Sequence, residues 1–338
     1  MKTLIIQPLE PLVLSSTPIA SPDSFIGSHR VLGAPSPTTL AGFLGSILGV
    51  NLNVNTVLDS LEALYNELRL RGASDPVVKG PLVKFVKMGG RELDGFYVSV
   101  STKEFAPIDA LVLSEGICFI KRDRLEENVL VEPSFRLGVK LKRGYVSGEN
   151  KTVEVGYMYK YSTSFYKRRG GEVVTPLFLY ATKINLDGDK CLIGSLGGEG
   201  RSVKVYVGED SELRMYADRL SDPREVEEGC YVALTPVPVI PDSNVYTVSS
   251  HNPDAKGLEF VEKIVGFPVV QGEGVSVPSK RIERLSLGYS IALKARRPMI
   301  FMLPPGTVLN CRKIKETKVN RLIKTLWSLG FASLLKLN

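Results

Sequence analysis

Histidine is nearly absent from this chain of 338 residues, which has only His29 and His251. Tryptophan occurs once and cysteine four times, at Cys118, Cys191, Cys230 and Cys311, never as a Cys-x-x-Cys pair. This spacing argues against a zinc site built from sequence-local ligands, and cysteine this sparse suits a reducing compartment. No apolar run approaches the ~20 residues of a membrane-spanning helix. The opening Met-Lys-Thr-Leu-Ile-Ile-Gln-Pro is interrupted too soon for a secretory leader, so a cytoplasmic protein is expected. Carboxylates are scattered, as Asp187 and Asp189 are beside a turn glycine. Metal-assisted phosphoryl chemistry therefore finds no ligand set, and no cofactor is expected.

What is present reads as a folded protein, with 43% hydrophobic and 23% charged residues. The length leaves room for two ordinary domains, each with a core. Lys and Arg number 43 against 36 Asp and Glu, a net charge of +7. That balance favours a nucleic-acid or acidic-protein partner without demanding one.

Local patterns divide the chain. Residues 2–9 read as a first strand, followed by a long Pro/Ser/Gly-rich stretch from Pro11 to Pro37. Ser36 and Pro37 suit the cap and first position of a helix whose apolar stripe is Leu40, Phe43, Leu44, Ile47 and Leu48, closed by Gly49. Leu58, Leu61, Leu64, Tyr65 and Leu68 mark a second helix. From about Leu82 to Val207 short alternating strands dominate. After a charged stretch from Gly208 to Gly229, the run Cys230–Ile240 is broken by Pro236 and Pro238, which predicts an edge strand. Further strands are expected at Lys263–Val270, Ser290–Lys294, Pro298–Leu303 and Val308–Cys311, and a last helix near Val319–Ser328. Strand and helix sets recur in both halves, so two α+β units are the economical architecture.

The candidate binding residues fall into four groups. Gly194, Gly197, Gly198 and Gly200 crowd ahead of Arg201, after which Val203, Val205 and Val207 alternate with polar residues. Bare amides and a guanidinium are what phosphate contact requires. No Lys-Ser/Thr pair follows, and a strand opens where a dinucleotide loop would start a helix. A tight hairpin with Arg201 in solvent fits the same residues. Arg136, Lys140 and Lys142 share one face of an extended strand. Lys167, Arg168 and Arg169 follow Tyr157, Tyr159, Tyr161, Phe165 and Tyr166. Rings beside cations make a single-strand RNA platform, although alternating tyrosines in a strand also serve as packing. His29 and Arg30, in the long first loop, form the fourth group, and His29 is the one residue suited to a general acid. The stretch Arg312–Asn338 carries seven Lys or Arg against the single acid Glu316, which fits either a polyanion contact or a helix docking Trp327 on the core.

Several segments stand in a definite order: Pro35-Ser-Pro-Thr-Thr-Leu-Ala-Gly-Phe-Leu-Gly45, Arg136-Leu-Gly-Val-Lys140, Asn150-Lys-Thr-Val-Glu-Val-Gly-Tyr-Met-Tyr159 and Leu196-Gly-Gly-Glu-Gly-Arg201. Gly288-Tyr-Ser-Ile-Ala-Leu-Lys and Leu303-Pro-Pro-Gly-Thr-Val308 complete them. Their order resembles the RAMP superfamily of CRISPR proteins. Within its Cas-five-like group, the chain is similar to the third-subunit family of the type III-B Cmr effector complex, with Tyr289 where that family carries tryptophan. The resemblance implies an α+β fold of two ferredoxin-like (RRM-like) modules, residues 1–208 and 209–338, with antiparallel sheets, Gly-rich loops and long insertions. It further implies a non-catalytic subunit that holds the 5′ handle of the guide RNA (crRNA) and docks on the large polymerase-like subunit beside RAMP backbone subunits. The alternative is a metal-independent repeat-RNA endoribonuclease with His29 as general acid.

Overall fold

The computed structural model describes residues 2–15, 31–141, 153–184, 191–197, 200–241, 255–272, 282–290, 292–314 and 319–338, with backbone alone for 137–141, 153–160 and 241. The chain opens with β1 (Lys2–Pro8), α1 (Pro37–Ile47), α2 (Asp59–Leu70), β2 (Lys79–Lys87), β3 (Tyr97–Ser101) and β4 (Glu104–Pro107). Then come β5 (Leu111–Ser114), β6 (Ile117–Ile120), β7 (Val129–Leu141), β8 (Val153–Arg168), β9 (Val173–Thr182), β10 (Leu192–Leu196) and β11 (Arg201–Gly208). The second half begins with α3 (Ser211–Arg214), β12 (Leu220–Ser221), β13 (Gly229–Ala233), β14 (Val237–Pro241), β15 (Ala255–Lys256), β16 (Val261–Gly266) and β17 (Val269–Val270). It ends with β18 (Glu283–Ser286), β19 (Tyr289–Ser290), β20 (Ala295–Arg296), β21 (Met299–Leu303), β22 (Val308–Cys311), α4 (Arg321–Ser328) and β23 (Leu334–Lys336).

The fold is α+β with mostly antiparallel sheets and few helices. Nine strands make one sheet in the order β10-β11-β1-β9-β2-β3-β4-β7-β8. A further pairing of β8 with β9, through Tyr166–Val174 and Lys167–Val173, bends the last six strands into a closed ring. Aromatic side chains pack within this ring. Phe85 meets Tyr97, Phe105 and Tyr166 at centroid distances of 5.1, 5.6 and 6.0 Å, the edge-on and tilted contacts that ring quadrupoles prefer.

The middle of the sheet is buried on both faces. On β1 and β9, Leu4, Ile6, Phe178 and Tyr180 join the core under α1 and α2. The alternate residues Ile5, Leu177, Leu179 and Ala181 face Cys230, Val232, Val308 and Leu335 of a second sheet. That sheet runs β12-β23-β13-β22-β16 and is antiparallel at every pairing. Its own outer face, with Tyr231, Leu309 and Leu334, takes Ile323 and Trp327 of α4. A smaller sheet, β15-β14-β21-β18, flanks it, and β17 crosses to pair with β6 in parallel.

Capping chemistry sets the first helix. Ser36 Oγ accepts from the Thr39 amide at 3.3 Å, Pro37 occupies the first turn, and Gly49 closes with φ +65°. The expected edge strand Cys230–Ile240 is instead two strands, and neither lies at an edge. β13 is central, with β22 and β23 on its sides, and β14 sits between β15 and β21. Proline is tolerated there because β15 reaches only Ile240 and Pro241, leaving Pro238 without a ladder on that side. The expected strand Lys263–Val270 divides at Gly266, whose φ is +116°. Of the expected strand Ser290–Lys294, Ser290 belongs to β19, while the described residues from Ala292 to Lys294 form a turn that ends with Lys294 at φ +48° and leads into β20.

Trp327 is 1% exposed and packs edge-on against Phe260 at 5.8 Å. Trp327→Ala is expected to cost about 3–5 kcal/mol, as other large-to-small changes of a buried aromatic do, read as a lower midpoint in urea unfolding.

Candidate nucleic-acid interface

Leu196 pairs with Arg201 across β10 and β11, which sets Gly197 and Gly200 at the end of a hairpin. Gly197 and Gly200 hold φ of +77° and +58°. A Cβ on Gly197 would stand 2.7 Å from the Val13 carbonyl oxygen, and one on Gly194 2.7 Å from the Phe43 ring. Glycine is needed at 194 and 197 because another group already fills the side-chain space. Gly198 lies outside the described residues.

Arg201 is engaged within the protein. Nη1 pairs with Glu10 Oε2 at 2.6 Å, Nη2 donates to the Tyr161 hydroxyl at 2.5 Å, and the guanidinium lies 5.2 Å from the Tyr161 ring centre. The other Glu10 oxygen accepts from the Ser202 amide at 2.8 Å. The Ser202 amide and the Arg201 guanidinium together hold the Glu10 carboxyl below its ordinary range. Arg136, exposed, is the direct cross-strand partner of Tyr161 and shares its face of the sheet. Ser15 bridges Val31 nearby in the chain; between them, His29 and Arg30 lie outside the described residues. Lys142 does too, and for Lys140 only the backbone on β7 is described.

Lys167, Arg168 and Arg169 form a separate group, about 20 Å along β8 from Tyr161 at ~3.3 Å per residue. Arg169 donates through Nε and Nη2 to Glu104 Oε1 at 2.9 and 2.8 Å. Arg168 and Lys87 share Glu172, at 3.5 and 3.1 Å. Lys167 makes no ion pair among the described residues. Tyr166 is no stacking platform: it is 5% exposed and its hydroxyl donates to the Gly33 carbonyl at 3.0 Å. Phe165 is half-buried. The structure thus joins Arg136 with Arg201 and keeps both apart from the 167–169 group.

The basic C-terminal segment is partly neutralised by the rest of the chain. Arg321 forks onto Glu62 at 2.9 and 2.6 Å, and Lys336 pairs with Glu227 at 3.3 Å. Glu10 was missed by sequence reasoning; its place just past β1 was the only available signal. Among the described residues no three His, Cys, Asp or Glu side chains converge as a metal site, and no helix is long and apolar enough to cross a membrane.

The whole architecture has solved counterparts. A chain in the cryo-EM structure of the Type III-B Cmr-beta bound to cognate target RNA and AMPPnP superposes with a TM-score of 0.58 and 18% identity, over 99% of this chain and 96% of that one. The chain shares that fold. A chain of the Cmr-beta structure bound to cognate target RNA matches over the same shares, with a TM-score of 0.56. No family profile matches the sequence, and no curated protein does. In the Cmr-beta fold as this chain builds it, the Glu10–Arg201–Tyr161 group ties the segment after β1 to the β10–β11 hairpin and β8.

Because the Glu10 pKa is lowered by folding, its contribution to stability is full above the ordinary carboxylate value near 4.3 and is lost as pH falls through the folded value. Thermal unfolding from pH 6 to pH 3 should show this as an acid limb that Glu10→Gln makes shallower. Arg201→Ala should lower the melting temperature at pH 7, since it leaves Glu10 without its cation.

Proposed function

We propose that the protein is an RNA-binding subunit of a type III-B Cmr effector complex, one that holds the 5′ handle of the crRNA and docks on the large polymerase-like subunit beside RAMP backbone subunits. The observation that carries the reading is the likeness to Cmr-beta chains over 99% of the sequence. The motif order from Pro35 to Val308 points the same way. A βαββαβ ferredoxin-like sheet lays its strands in the order 4-1-3-2. β11-β1-β9-β2 has that order with α1 and α2 in the first crossover, and β23-β13-β22-β16 has it with α4 in the second. This supports two ferredoxin-like modules, 1–208 and 209–338, each keeping a different crossover helix among the described residues.

The exposed Arg136 beside the Arg201–Tyr161 pair, and Lys167 beside its paired neighbours, supply cations for phosphates. Replacing Lys167, Arg168 and Arg169 together should flatten the salt dependence of handle-RNA binding, whose slope is about −0.7 per phosphate neutralised on single strands. A slope unchanged by the triple replacement would remove that group from the interface.

No catalytic step is assigned to this subunit. Purified protein is expected to leave labelled repeat RNA intact, with or without magnesium. Cleavage to a 2′,3′-cyclic phosphate that His29→Ala slows by about 10²–10⁴-fold, the usual worth of general acid–base participation, would overturn the subunit reading in favour of a processing enzyme.

A further inference from the structure

Arg124, Arg169, Arg201 and Arg224 each meet a carboxylate. Arg297 does not. Its side chain is more than nine-tenths buried, at 8% exposure. Nε donates to Ser60 Oγ at 3.1 Å and Nη1 to the Tyr289 carbonyl at 2.9 Å, while Nη2 has no hydrogen-bond partner among the described residues. Both partners are neutral, so the buried cation is uncompensated, and desolvation pushes its pKa down with no acid to oppose it.

A second source of positive potential meets it. Thr38 Oγ1, in the first turn of α1, and Arg297 Nη1 stand 3.9 and 4.0 Å from where a Cβ on Gly288 would lie. Ser36 caps this first turn and shares a hydrogen bond with the Thr38 hydroxyl at 3.2 Å, but no acid occupies the turn, so the positive end of a helix and a guanidinium border one gap. Gly288, at φ +86°, puts no side chain into it. Outside the gap, Tyr289 is 52% exposed and pairs across β19–β20 with the exposed Arg296. The Ser290 hydroxyl, next along the strand, is buried and has no partner among the described residues.

We propose that this gap, between the start of α1 and the turn carrying Gly288 and Arg297, holds one backbone phosphate of single-stranded RNA, with Tyr289 stacking on the adjoining base. The proposal rests on the RNA-binding reading and adds to it a contact in the second half of the chain. A phosphate supplies the charge that Arg297 lacks and acceptor oxygens matched to a guanidinium. An exposed ring beside a cation at the mouth favours a nucleic-acid strand over an acidic peptide, because every base has a face to stack.

The test titrates labelled handle RNA into the full-length wild type, Arg297→Gln and Tyr289→Ala, and records melting temperatures without RNA. Arg297→Gln is expected to weaken binding about tenfold or more, while the RNA-free protein keeps or raises its melting temperature because an unpaired buried charge is gone. Tyr289→Ala is expected to weaken binding about fivefold or more, from the loss of one base–ring stack, with the melting temperature unchanged. Wild-type affinity in Tyr289→Ala overturns the proposal even if Arg297→Gln does not fold. Wild-type affinity in Arg297→Gln overturns it too, including when inorganic phosphate stabilises only the wild type, which would mark a free-phosphate site. Wild type that binds no RNA at all overturns the RNA-binding function itself, whereas unchanged variants leave that function standing.

Discussion

Strand β9 is hydrogen-bonded to β1, β2 and β8, and both of its faces are buried. Its even-numbered residues Phe178 and Tyr180 lie under the helices of the first half, and its odd-numbered Leu177, Leu179 and Ala181 lie against the second sheet. The same strand closes the aromatic ring through Val174. A one-residue slip in its register would exchange the two faces, moving Phe178 and Tyr180 into space shaped for leucine and alanine. Helices, ring and second sheet are therefore placed by one alignment.

Contacts between the halves continue beyond that core. Val77 donates to the Ser328 carbonyl at 2.8 Å, and Gly80 to the Ser333 hydroxyl at 2.7 Å. Gly330 passes so close that a Cβ would stand 2.9 Å from a methyl of Val78. Arg224 bridges Asp75 and Asp222, each at 2.8 Å. Buried backbone groups in this seam find their partners across it, which favours one arrangement of the halves.

Much of the local structure was legible in the sequence because local rules decide it. The Ser36-Pro37 start and Gly49 end of α1 follow from capping, and Val308–Cys311 from apolar patterning. Where tertiary packing overrides such rules the reading failed. Pro236 and Pro238 signalled an edge, yet β13 is central because the chain breaks its strand just before the prolines. Tyr166 sits among alternating aromatics like a stacking residue, and only the closure of the ring turns it inward. For the candidate interface, the glycine spacing and Arg201 stand out in the sequence itself. Glu10 and Tyr161, far away in sequence, could not be tied to Arg201 without the fold. Arg297 gave no signal at all, since a buried arginine looks the same in a sequence as an exposed one.

The placement of β23 has a consequence for biosynthesis. Residues 334–336 complete the second sheet by pairing with both β12 and β13. Until they leave the ribosome, the face formed by Leu177, Leu179 and Ala181 lacks part of its cover. At about 5–20 residues per second, the delay after β9 emerges is on the order of ten seconds or more. Over that interval the nascent first half presents an apolar sheet face to its surroundings, the kind of transient exposure that favours association with other chains.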